Sequence, residues 1–128
     1  MVTISAISWQ YLVAGFLVFH GIGHVAGFWV ASGASRLVNR LDDTTIKTLG
    51  GMLWLVALGG FVAAGLGVLD IGSTHEAWRD LAIAASLISM LTMVLFTRLS
   101  LFGAFLADIV IIVALVWLQW PSDVLIGR

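Results

Sequence analysis

His20 and His24 stand one helical turn apart inside an apolar run, SWQYLVAGFLVFHGIGHVAGFWV (8–30), which holds no other side chain that titrates near neutral pH. The H-x-x-x-H spacing puts both imidazoles on one helix face, where each ring can donate, accept or ligate. Asp108 is the other ionisable group set deep in an apolar stretch. Such groups cost about 3 kcal/mol on membrane-insertion scales, so they mark functional sites by default. Two histidines and a carboxylate offer three kinds of chemistry. They can carry protons, they can hydrogen-bond a polar headgroup, or they can ligate a metal as a two-His, one-carboxylate set.

The elements that must position these residues are apolar throughout. Runs at 8–30, 48–69, 77–97 and 100–119 account for most of the 128 residues, and each is near the ~20 residues that cross ~30 Å of hydrocarbon. The chain is 61% hydrophobic and 10% charged, with mean hydropathy +1.11, where soluble domains carry about 25% charge. The expectation is one all-α domain over 1–128, an integral membrane four-helix bundle with up-down connectivity. A net charge of −1 without a long basic run argues against nucleic acid and leaves the lipid bilayer as the surrounding partner. Cysteine is absent, which removes disulfides and thiolate sites. The first run has no Lys or Arg before it and no small-residue cleavage site after it, so it reads as a retained span.

Local signals place the helix ends and the orientation. Asp42, Asp43, Thr44 and Thr45 offer N-cap oxygens to the second span. Gly72 closes that span, and Ser73 and Glu76 form an S-x-x-E capping box before the third. Ser100 caps the fourth and Pro121 follows it. Arg36, Arg40, Lys47 and Arg98 gather on one side, against Arg79 and Arg128 on the other, which puts both termini outside by the positive-inside rule. Trp9, Trp78, Trp117 and Trp120 are then expected at the outer interface and Trp29 at the inner one. The stretch ASRLVNRL, within 31–47, reads as a short interfacial helix or an irregular loop. Small residues (Gly23/Gly27, Gly60/Ala64, Ala63/Gly67, then Ala82, Ala85, Ser86 and Ser89) fit close helix packing within the bundle, or a homodimer face.

Depth connects the polar residues. His20, His24, Gly27 and Ala31 share one face of the first helix. With a rise of about 1.5 Å per residue, His24 lies roughly 9 Å from the cytoplasmic end and Asp108 roughly 12 Å, with His20 nearer the midplane. Ser89, Thr92 and Trp54 fall in the same layer. A bond from His24 to Asp108 is expected, with His20 turned to a nearby Ser or Thr. This constellation fits a pocket for a quinone, sterol or other lipid lined by Phe16, Phe19, Phe28 and Trp54. It also fits a His/Asp proton relay, a metal held by His20, His24 and Asp108, or a polar pair that only fixes helix register. No glutamate sits in an H-E-x-x-H pattern, so zincin hydrolysis is not supported. Haem within one monomer is not expected, because His20 and His24 share one helix and His75 lies in the outer loop. His75 reads as solvated, and Arg79 and Asp80 as interfacial snorkellers.

The stretch His20-Gly21-Ile22-Gly23-His24, followed by Gly27-Phe28, resembles the first helix of DoxX-like small membrane proteins. There an H-G-x-x-K stretch and a following G-F are common, and His24 stands where many of those proteins have lysine. It is still more similar to bacterial proteins that carry H-G-x-x-H-x-x-G-F in that place. Leu49-Gly50-Gly51 and Phe102-Gly103, which open the second and fourth spans, look similar too. The resemblance implies a four-helix bundle in a bacterial plasma membrane and, through some relatives, quinone-coupled oxidation. The functional expectation is a polar site for a quinone-like or lipid-like ligand. The rival is a non-catalytic accessory subunit of a larger membrane complex.

Overall fold

The computed structural model of the chain describes residues 4–30, 42–96 and 102–127, excluding the side chains of 4–7, 26–30, 43 and 46. Among the described residues the chain is all-helical, without strands. Its helices are α1 (Ile4–Val30), α2 (Asp43–Val68), α3 (Trp78–Phe96) and α4 (Phe102–Ile112), and α4 runs on into a π-helical turn, Val113–Trp117. The four apolar runs thus each become a helix. Two of these stretches, Lys47–Val68 and Trp78–Phe96, are long and apolar enough to cross a membrane. Outside the described residues lie Ala31, Arg36, Arg40, Arg98, Ser100, Arg128, the expected interfacial helix, the surroundings of Gly27 and the side chains of Phe28 and Trp29.

The helix ends follow local chemistry. Asp42 is the N-cap of α2: Oδ1 accepts from the Thr45 amide at 2.9 Å and Oδ2 from the Thr45 hydroxyl at 2.5 Å. Those bonds hold its carboxyl below the usual range. At the other end of α2 the cap differs from expectation. Asp70, not Gly72, takes the left-handed cap position (φ 58°), with Ile71 N–H on Leu66 O and Asp70 N–H on Gly67 O, a Schellman pattern. Short polar side chains are the non-glycine residues that tolerate this region best. The Ser73/Glu76 box is also displaced. Helix α3 starts only at Trp78, Thr74 donates to Ala63 O at 3.1 Å, and Glu76 stays exposed beside His75.

Helix α1 packs along α2, α2 along α3, and α3 along α4. The α1–α2 contact rests on Gly21 and Gly65. A Cβ at Gly21 would stand 2.8 Å from Phe61 Cβ, and one at Gly65 would stand 3.0 Å from Ala14 O. Gly60 does the same against Ala85 of α3. Gly23 is different: it is exposed with open space around it, so Gly23 is not what brings α1 onto α2. Gly67 makes room for Trp78, which is buried in the core, whereas Trp117 is exposed.

At the end of the bundle where α2 stops, several segments converge. Gln10 of α1 donates to Val68 O at 2.7 Å, and Trp9 meets Trp120 edge-on at 5.8 Å. After the π-helical turn the chain folds back, and Ile126 enters the core beside Val68, Trp78 and Leu115. Arg79 secures this return. Its Nη2 donates to Pro121 O at 2.6 Å and to Asp123 Oδ1 at 2.9 Å, and its guanidinium lies over Trp78. Arg79 is therefore a tether, not a free snorkeller. Arg79→Ala is expected to expose 119–127 to limited proteolysis, while Asp123→Ala changes the cleavage rate little. The solvent-facing ion pair contributes about 0–1 kcal/mol, and the charged bond to a carbonyl about 1.5–3 kcal/mol.

Candidate functional site

Three helices deliver one polar side chain or more to a single point. Helix α1 brings His20 and His24, α3 brings Ser89, and α4 brings Asp108. Asp108 and Ser89 are fully buried and His24 nearly so. His20 keeps 10% of its side chain exposed. The four form an unbroken chain. His20 Nε2 is 2.9 Å from Asp108 Oδ1, Ser89 Oγ is 2.5 Å from Asp108 Oδ2, and His24 Nε2 is 2.7 Å from Ser89 Oγ. His24 Nδ1 donates to the His20 carbonyl at 2.9 Å. Each buried polar atom in this chain is satisfied, as burial away from water requires.

The partners are exchanged relative to the sequence expectation. Asp108 bonds His20 directly and reaches His24 only through Ser89. The reason is the aim of the rings. His24 is anchored by its own helix, one turn back at His20 O, and this directs its Nε2 at α3 and leaves His20 to face α4. Thr92, expected in the same layer, is buried but donates to Ile88 O of its own helix at 2.6 Å and does not join the chain. Trp54 packs its ring 5.1 Å from His24, with its Nε1 buried and without a partner among the described residues.

Aromatic rings enclose the histidines. Phe61 lies 4.7 Å from His20 and 5.3 Å from His24, and Phe16 stacks nearly parallel on His20 at 6.0 Å. Phe19 points outward at 79% exposure and takes no part. Phe61 was not among the expected lining residues. It stands seven residues after Trp54 on the same face of α2, a spacing that could have identified it. Gly21 completes the cage, because its missing side chain lets Phe61 approach both imidazoles.

One ligating atom from each of His20, His24 and Asp108 lies within 4.8 Å of the others. A first-row metal at about 2.0–2.2 Å from N and O donors would need these atoms drawn closer together, and the Ser89 bridge displaced. No protein-family model, curated protein or solved structure matches the chain. The chemistry of the site therefore has to be read from its own residues.

Proposed function

We propose that the chain is a small DoxX-like integral membrane protein, an up-down four-helix bundle of the bacterial plasma membrane, whose His/Asp/Ser cluster binds the headgroup of a quinone-like or lipid-like ligand. Its inverted polarity supports the membrane setting. Leu12, Phe19, Met52, Leu55, Leu91 and Val110 face outward with more than half their surface exposed, while His24, Ser86, Ser89, Thr92 and Asp108 are inside. Lipid contact accounts for the first set, and the need to satisfy polar groups internally accounts for the second.

One observation carries the ligand reading: His20 is the cluster member that reaches the surface. Its ring bonds Asp108 of α4 on one side and stacks on the half-exposed Phe16. Its Nε2 is committed to Asp108, so Nδ1 is the edge offered to a headgroup. In a neutral His20 that nitrogen is an acceptor and suits a hydroxyl, such as that of a quinol or sterol. In the cation it donates and suits a carbonyl.

Native mass spectrometry of gently solubilised protein tests this reading, together with titration by a short-chain hydroquinone followed on the His20 ¹⁵N resonances. The wild type is expected to retain an amphipathic molecule and to shift its His20 signals, and His20→Phe should lose the retained molecule. A protein that retains nothing and whose His20 signals ignore the probe would refute ligand binding. Elemental analysis of the same sample checks the metal reading, against which the spacing of the three ligating atoms and the Ser89 bridge weigh.

A further inference from the structure

The hydrogen-bond geometry of the cluster specifies how many protons it holds. The His20 carbonyl can only accept, so His24 Nδ1 must carry a hydrogen. Ser89 has one hydrogen but stands within bonding distance of two groups, His24 Nε2 at 2.7 Å and Asp108 Oδ2 at 2.5 Å. If that hydrogen goes to Asp108, His24 Nε2 must donate to Ser89, and His24 is an imidazolium beside a carboxylate. If it goes to His24, Asp108 must donate to Ser89, and a neutral imidazole is paired with a carboxylic acid. A bare carboxylate with a neutral His24 would leave lone pairs opposed at one of the two contacts. With His20 neutral it would also leave a net negative charge in an apolar interior, which is costly.

We propose that the His24–Ser89–Asp108 chain stores one proton and passes it between His24 and Asp108 through the Ser89 hydroxyl. In the transfer, His24 Nε2–H breaks as Ser89 Oγ accepts its proton. Ser89 Oγ–H breaks in turn as Asp108 Oδ2 accepts. Imidazolium plus carboxylate becomes imidazole plus carboxylic acid, and the net charge stays zero. His20 donates to Asp108 Oδ1 in both states and links the stored proton to the exposed end of the cluster. The surroundings do not compete. Helix α2 presents Trp54 and Phe61, α3 adds Ser86 and Thr92, and α1 adds Phe16, none of which titrates. Among the described residues, the titratable side chains beside His24 are His20, whose ring lies 5.1 Å away, and Asp108, reached through Ser89. The inference goes beyond ligand binding and stands without it, since the count follows from the protein's own donors and acceptors.

The test combines infrared spectroscopy of protein labelled with ¹³C-aspartate and ¹⁵N spectroscopy of labelled histidine, on the full chain in lipid bilayers. Asp108→Asn assigns the carboxyl band, and solvated His75 serves as reference. From about pH 6 to 8, where an ordinary histidine loses its proton, the summed populations of His24 imidazolium and Asp108 carboxylic acid should stay at one. Ser89→Ala should let that sum fall toward zero by the alkaline end, and Ser89→Thr should restore it. A wild-type protein with carboxylate Asp108 and neutral His24 together would overturn the proposal, as would a Ser89→Ala protein that keeps the full proton. Should Ser89→Ala not fold, the wild-type sum alone decides. Both readouts are independent of any bound amphipath, so failure of the ligand reading and failure of this one are distinguishable.

Discussion

Asp108→Ala is expected to lower the unfolding free energy by about 3–5 kcal/mol, while Asp108→Asn stays within about 1 kcal/mol of wild type. Alanine removes both carboxylate oxygens, strands the His20 Nε2–H and leaves Ser89 only His24 as a partner, beside a fully buried position. Asparagine preserves every contact. Its carbonyl oxygen accepts from His20, its amide donates to Ser89, Ser89 donates to His24 Nε2, and His24 Nδ1 still donates to His20 O. This is the pattern of the carboxylic-acid state, made permanent. Equilibrium denaturation in mixed detergent micelles measures both variants. An Asp108→Asn protein as unstable as Asp108→Ala would show that the carboxylate charge itself holds the cluster together.

The second large effect is expected at Gly21. A Cβ there would stand 2.8 Å from Phe61 Cβ and 3.3 Å from the Leu58 carbonyl oxygen, and neither atom is the end of a flexible side chain. Gly21→Val must therefore push α1 away from α2, at about 1–3 kcal/mol or more. It should also spoil the cage, since Phe61 touches both histidines. Gly23→Val is the matched control. Nothing lies within 4 Å of its Cβ position, so stability should change by no more than about 0.5 kcal/mol. Thermal unfolding with the His20 and His24 ¹⁵N shifts reads both outcomes. Equal losses in the two variants would mean that α1 packs on its Gly23 face as well.

How much of the site was legible from the chain can be judged residue by residue. His20, His24, Asp108 and Ser89 were recognisable because a polar side chain in an apolar helix is conspicuous, and Trp54 because depth places it beside them. Thr92 satisfied the same depth test and still stays out, since a threonine hydroxyl can bond the carbonyl one turn back in its own helix. Phe61 passed unnoticed because an aromatic residue in an apolar run carries no contrast. At the helix ends Asp42 acted as expected. Gly72 did not, because the left-handed position falls on Asp70, two residues earlier.

By itself, the sequence determined that four apolar helices would form, which residues they would carry, and roughly how far along its helix each would lie. Those properties depend on composition and on the ~1.5 Å rise per residue, which are local. They set Asp108 at a level between His20 and His24, whose Cα atoms differ by about 6 Å along the axis by that same rise. Depth therefore could not choose its partner. The tertiary structure decided it through rotation: how each helix turns about its axis, set by Gly21 against Phe61, Gly60 against Ala85 and the anchoring of His24 on its own backbone. Those contacts join residues far apart in the chain, and no local pattern encodes them.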